Sequence, residues 1–343
     1  MNSQQNPLIT FVLPCYNVEK YVQFCLDSIY ETDLPESQYE VLCINDCSPD
    51  NLQQILELNQ IEHSNLRIIK HEKNKGLGGA RNTGIKEAKG RFLWFVDSDD
   101  LIIGDQLDRV LRKAVEENLD VLCFNYQRID DQLNILDIHP VFEDTNPQDG
   151  YSFAENAFKS GGIEWHMGYV VRFIYRTDFL RSHELFFPEK VCWEDTVFMP
   201  KSILEAERVA SIPDVMYSYR VNPQSISSMF ARKYPAKLIY EFAFCAGKDL
   251  LHFSEEVKTE KLKKTFRDAA VYRYINKYSL HLMRTSKEER KKFYQMVNEN
   301  HAEVSEVMPY MSMFNKVLRN PVLGPIVMCL CSMLYHWKHR LGK

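Results

Sequence analysis

The first half of the chain alternates two hydrophobic periods. Leu8-Ile-Thr-Phe-Val-Leu13 is a short, β-branched run that is apolar on both faces, which predicts a buried strand. Val18, Tyr21, Val22, Cys25, Leu26 and Ile29 then recur at helical spacing behind Asn17, a side chain suited to capping that helix. Strand patterns return at Tyr39 to Ile44, Leu66 to Lys70, Phe92 to Val96 and Val121 to Asn125, and a helical pattern covers Leu107 to Val115. Strands separated by helical patterns of roughly 10–15 residues predict βαβ units: an α/β fold with a mostly parallel, Rossmann-like sheet and helices on both faces.

The pattern changes further on. Residues 126–230 are less regular, with Gly161-Gly162 and Pro188 marking loops, a helical stretch from Trp193 to Leu204 and a short strand at Val215 to Arg220. Beyond Pro235 the periodicity is helical throughout, over roughly 235–253, 258–282, 286–300 and 308–319. The expected organisation is an α/β domain over 1–230, divided near residue 125, and a helical C-terminal region over 231–343.

Charge sharpens this division. The whole chain of 343 residues carries a net −5, which argues against wholesale nucleic-acid binding. Residues 231–343 hold 21 basic and 11 acidic residues, a net +10, so residues 1–230 stand at −15. Nine cysteines without a Cys-x-x-Cys suggest free thiols in a reducing cytoplasm. Met1 to Pro7 lacks a basic segment ahead of an apolar run, so no signal peptide is expected.

Candidate chemistry gathers where the strands end. In an open α/β sheet ligands bind at the carboxyl ends of the strands. Those ends read Pro14-Cys15-Tyr16-Asn17, Asn45-Asp46, Lys75-Gly76-Leu77-Gly78-Gly79 and Asp97-Ser98-Asp99-Asp100. Three carboxylates in four residues repel one another unless a cation sits among them, and carboxylate with diphosphate oxygens suits Mg2+ or Mn2+; the other reading is a solvated acidic turn, which has to follow the apolar run Phe92 to Val96. The glycine-rich stretch fits neither the dinucleotide fingerprint, because Arg81 stands at its third small position, nor the P-loop, because Ile85-Lys86 follows Gly84. It remains either a loop that admits a ligand close to backbone or a plain turn. Glu194-Asp195, at an expected helix start, is either a pair favoured by the helix dipole or the site of a general base.

Together these residues resemble the family 2 glycosyltransferases of GT-A fold that serve bacterial capsule, exopolysaccharide or O-antigen synthesis. The resemblance is carried in order by Val12-Leu-Pro-Cys-Tyr-Asn17, Ile44-Asn-Asp-Cys-Ser-Pro-Asp50, Asn74-Lys-Gly-Leu-Gly-Gly-Ala-Arg-Asn-Thr-Gly84, Asp97-Ser-Asp99, Trp193-Glu-Asp195 and Tyr217-Ser-Tyr-Arg220 followed by Ser225-Ile-Ser227. It implies that Pro14, Tyr16, Asn17 and Glu19 surround a nucleotide, that Asp46 accepts a hydrogen bond from the base, and that Gly76 packs near it. It further implies Asp97 near the ribose, Asp99 on the metal, Asp195 as catalytic base and, more weakly, Arg220 on phosphate. Asn45 departs from the usual first Asp, and an altered nucleotide contact is expected there. The implied reaction is an inverting displacement that moves a sugar from a nucleotide-sugar, such as a UDP-sugar, to a glycan or lipid-linked hydroxyl.

Two other functions compete. A nucleotidyltransferase would need a Gly-rich, Arg-bearing loop after the first strand, where Pro-Cys-Tyr-Asn-Val-Glu stands. A non-catalytic nucleotide-sugar or glycan binder would tolerate the loss of Asp99 or Asp195, and both are present. At the far end, Pro321 to Trp337 is uncharged and flanked by Lys316, Arg319, Lys338, Arg340 and Lys343. That pattern suggests contact of 316–343 with the inner face of the cytoplasmic membrane, or burial in a homodimer or against the catalytic domain.

Overall fold

The computed structural model describes residues 6–157, 169–189, 191–222, 225, 233, 235–312, 315, 316, 323, 326 and 327. The expectations for Gly161-Gly162, and most of those for 321–337 and Ser225-Ile-Ser227, lie outside the described residues. Two compact units emerge, Met1–Lys190 with Phe198–Asn222, and Val191–Val197 with Pro223–Lys343.

The first unit is built on a nine-stranded mixed sheet among the described residues. Its strands are β1 (Ile9–Cys15), β2 (Tyr39–Asn45), β3 (Leu66–Lys70), β4 (Phe92–Phe95), β5 (Leu101–Ile102), β6 (Val121–Ile129), β7 (Ile135–His139), β8 (Phe173–Arg176) and β9 (Val209–Arg220). They lie in the order β3-β2-β1-β4-β8-β6-β9-β5, with β7 on β6. β3, β2, β1 and β4 pair in parallel, as the alternating pattern predicts. β8 enters antiparallel between β4 and β6, and β5 closes antiparallel on β9. The helices α1 (Val22–Tyr30), α2 (Leu52–Glu62), α3 (Gly76–Glu87) and α4 (Leu107–Glu116) connect these strands.

Burial follows the pattern that predicted it. Every residue of β1, β2 and β4 is buried, because helices cover the parallel part of the sheet. Trp94 sits at the centre, fully buried, with Phe11 and Phe124 against its ring and its indole N–H donated to Val171 O at 2.7 Å. β9 runs twelve residues instead of the expected six. Pro213 masks its first half in the sequence, and the pairing with β6 shifts register between Cys123 and Tyr126 to accommodate it. The Asn125 amide bridges this irregularity, donating to Pro213 O and Phe142 O at 2.9 and 2.8 Å.

The second unit is helical. Ala236–Tyr240, a π-helical turn Glu241–Ala246, and Gly247–Glu256 follow one another without a break. Glu260–Asp268 leads likewise into a π-helical turn Ala269–Ile275, and Tyr278–Arg284 follows. Lys287–Glu299 starts at Ser286, whose hydroxyl accepts the Glu289 N–H, a serine cap with Glu three residues on. Phe244, Tyr278 and Phe293 pack together in its core with ring centres 5.5–6.1 Å apart. The helices expected over 235–253 and 286–300 are present, that over 258–282 is interrupted by a turn at residues 276–277, and His301–Val307 adds a helix the pattern did not mark; of the fourth expected helix, 308–319, a short turn Met308–Tyr310 is seen and much of the rest lies outside the described residues. Among the described residues no helix is long and apolar enough to cross a membrane.

Candidate active site

The loops after β1 and β2 are tied together at the sheet's carboxyl rim. Asn17 does not cap α1: that helix begins after Tyr21, with no side-chain cap. Asn17 instead takes φ 57°, a left-handed conformation that asparagine tolerates, and its N–H donates to Ser48 Oγ at 2.7 Å. The Ser48 hydroxyl donates in turn to Asp50 Oδ1 at 2.5 Å, and Asp50 Oδ2 accepts the Glu19 N–H at 2.9 Å. Glu19 Oε2 in turn accepts from the Asn51 backbone and amide at 2.9 and 3.1 Å. Asn45 is engaged at both ends, its Oδ1 accepting the Ser48 N–H and its Nδ2 donating to Gln53. That explains why an amide serves at this position: both its donor and its acceptor shape the loop. Pro14 is buried at the end of β1, with its carbonyl held by the Ser98 hydroxyl at 2.8 Å, and Tyr16 beside it is 49% exposed.

Asp46 is a clasp. It is buried, its Oδ1 accepts from Lys75 N at 2.8 Å and lies 2.6 Å from His71 Nδ1, and its Oδ2 accepts from Gly76 N at 2.9 Å. His71 Nε2 reaches Thr83 Oγ1 at 2.9 Å, so one imidazole links β2, β3 and α3. The glycine-rich stretch is neither a loop nor a plain turn: it forms the first turns of α3. Its glycines admit neighbours instead of exposing backbone. A Cβ on Gly78 would stand 2.3 Å from Pro188 O, and one on Gly84 2.1 Å from Val12 Cγ1. Only Gly76, at φ 78°, serves a turn.

The three clustered carboxylates part ways. Asp100 is buried and turned inward, accepting the Tyr217 hydroxyl at 2.6 Å and the Arg220 N–H at 2.7 Å. Asp97 Oδ1 accepts from Arg81 Nη2 at 2.7 Å, and Arg81 is itself 3% exposed. The Asp99 carboxyl is pushed up to about 6, first by burial and then by Asp97. Arg220 donates through Nε to Asp99 O at 2.9 Å, and its guanidinium lies 5.5 and 5.6 Å from the ring centres of Tyr21 and Phe24. Its Nη2 is buried with no hydrogen-bond partner among the described residues. An Asp99 carboxyl whose ionisation burial and Asp97 disfavour, and an orphaned guanidinium N–H, fit a divalent cation with an anion beside it. Among the described residues no three His, Cys, Asp or Glu side chains converge on one point, so such a cation would take its remaining oxygens from the anion and from water.

Asp195 is the first residue of the helix Asp195–Leu204, so its carboxylate stands at the favourable end of the helix dipole. Glu194 beside it is buried, and Trp193 takes φ 60°. The first unit therefore gathers Pro14, Tyr16, Asn17, Glu19, Asp46, Gly76, Asp97, Asp99 and Arg220 along one rim, while Asp195 lies in the segment belonging to the second unit. Sequence reasoning missed His71, Arg81, Tyr21 and Tyr217 as parts of this rim. Arg81 carried a signal, as the one charge amid the small residues that begin α3.

Residues 10–204 match the family described as glycosyl transferase family 2. The chain is 32% identical over 225 residues to the uncharacterized glycosyltransferase EpsJ of Bacillus subtilis, covering 65% of this chain and 64% of that one. It is 31% identical over 210 residues to the poly(ribitol-phosphate) β-N-acetylglucosaminyltransferase TarS of Staphylococcus aureus, covering 61% and 34%. It thus spans under two thirds of the length of these relatives. The fold matches the crystal structure of residues 1–349 of S. aureus TarS in complex with UDP-GlcNAc, with TM-score 0.65 and 23% identity, over 96% of this chain and 92% of that one. A mannosyltransferase from Pyrobaculum calidifontis, solved with GDP-Man and Mn2+, matches at TM-score 0.52 and 15% identity, over 96% and 88%. With more than half of its length under the family model, the chain belongs to glycosyl transferase family 2.

Proposed function

We propose that this protein is an inverting, metal-dependent glycosyltransferase that moves a sugar from a UDP-sugar to a hydroxyl of a glycan or lipid-linked acceptor in bacterial surface polysaccharide synthesis. The observation that carries the reading is Arg220 Nη2, buried and without a partner among the described residues, on the side chain that also holds Asp99 O. A desolvated guanidinium N–H costs free energy until an anion accepts it, and a nucleoside diphosphate is such an anion. UDP-GlcNAc is the first donor to try, because it is the ligand named for the TarS structure.

In this reading Tyr16 and Pro14 flank the nucleoside, and the Asp46 clasp keeps the loop at Gly76 in place beneath it. Arg220 places positive charge on the diphosphate, which stabilises it as a leaving group. Asp195 takes the proton of the acceptor hydroxyl as that oxygen attacks the anomeric carbon opposite the leaving group. A Mg2+ or Mn2+ ion, when bound, would be held by Asp99 and Asp97 and would neutralise charge building on the departing diphosphate. Contact of residues 316–343 with the inner membrane face, a cytoplasmic location and a homodimer remain parts of this proposal that rest on the sequence.

The test is direct. UDP-GlcNAc and UDP-glucose are each added to the full chain with Mn2+, with Mg2+ and with EDTA. The reading expects a raised unfolding temperature with donor and metal together, and release of UDP that EDTA stops. No thermal shift and no UDP release with either donor and either metal would overturn it.

A further inference from the structure

The segment that bears Asp195 is held by the C-terminal helices through three separate contacts. The Cys192 N–H donates to Glu241 Oε2 at 3.3 Å. The Trp193 ring meets Phe242 edge-on, with centroids 5.1 Å apart. Thr196 Oγ1 lies 3.5 Å from Tyr274 Oη. Phe242 and Tyr274 also pack on each other at 4.6 Å.

All three holding residues sit in the two π-helical turns of that unit, Glu241 and Phe242 in one and Tyr274 in the other. A π-helical turn inserts a residue into a helix, is rare, and occurs frequently at functional sites. Trp193 carries a cost of its own, because φ 60° is unfavourable for a bulky side chain and persists only where its surroundings enforce it. Three uncommon backbone features thus meet at one short segment, residues 191–197.

We infer that the C-terminal helical unit is part of the catalytic apparatus: Glu241, Phe242 and Tyr274 are positioning residues that orient the Trp193-Glu194-Asp195 segment. The inference rests on the reading of Asp195 as base. A carboxylate at the head of a helix keeps its orientation only if the residues before and after it are fixed, and these contacts fix Cys192, Trp193 and Thr196.

The experiment compares full-length Glu241→Ala, Glu241→Gln, Phe242→Ala and Asp195→Asn, measuring kcat, donor KM and the unfolding temperature. Glutamine keeps an oxygen for the Cys192 N–H, so Glu241→Gln should retain kcat within about threefold, while Glu241→Ala and Phe242→Ala lose at least tenfold in kcat at nearly unchanged donor KM. Equal losses in Glu241→Gln and Glu241→Ala, or unchanged kcat in both alanine variants, would overturn the positioning role. If a variant melts early, kcat is read below its transition, where the same criteria apply. Full activity in Asp195→Asn would instead overturn the base itself, so the two failures are distinguishable.

Discussion

The Tyr217 hydroxyl donates to Asp100 Oδ2 at 2.6 Å and accepts the Asp97 N–H at 3.1 Å, so one buried phenol joins both ends of the acidic turn to β9. Burial raises the Asp100 carboxyl well above the ordinary carboxylate range, with Asp99 and Asp97 pushing the same way. Tyr217→Phe removes the donor and leaves that buried oxygen short of a partner. Chemical denaturation should show a loss of about 1–3 kcal/mol, accompanied by weaker metal-dependent UDP binding because the turn loses its anchor.

Asp99→Ala should abolish transfer and weaken metal-dependent UDP binding while leaving the fold intact. The turn is held through Asp100 and Ser98 instead. Near-normal turnover, together with UDP titrations that still respond to Mn2+, would place the metal elsewhere.

Asp195→Asn should leave donor binding nearly unchanged and cut transfer by about 10²–10⁴-fold, because an amide of the same shape cannot take the proton. Steady-state kinetics paired with donor titration decide the point. A parallel loss of donor affinity would indicate a binding role.

Gly84→Ala should destabilise the first unit by about 1–3 kcal/mol, since the new methyl would stand 2.1 Å from Val12 Cγ1 in the fully buried β1. Gly76→Ala is a different case, because its strain comes from φ 78°. Thermal melts of the two should both fall, and trimming Val12 to Ala should rescue only the Gly84 variant.

His281 lies in the C-terminal unit with its pKa lowered to about 4, mainly by burial and further by Lys277 and Arg284. An unfolded histidine near 6.5 binds a proton that the folded one refuses, so between about pH 6.5 and 4 stability falls as pH falls. His281→Gln should flatten that part of the profile, read as the unfolding midpoint against pH. An unchanged slope would show that other groups account for it.

Short-range information determined a great deal by itself. Continuous apolar runs mark β1, β2 and β4 because both their faces are covered, and helical spacing marks the C-terminal unit because each of its helices buries one stripe. Position at strand ends was enough to bring Pro14, Tyr16, Asp46, Asp97 and Asp99 to one rim. What the tertiary structure alone decided depends on partners far along the chain. Whether an acidic side chain faces a ligand or the core was settled for Asp100 by Tyr217, 117 residues away. Whether the glycines of Gly76–Glu87 loop or coil was settled by the space that Val12 and Pro188 leave them. The π-helical turns are invisible to a 3.6-residue period, since an inserted residue shows only once Phe242 and Tyr274 have Trp193 and Thr196 to hold. A local pattern records which residues are apolar; which neighbour satisfies a polar group, or fills the place of a missing side chain, is a property of the packed chain.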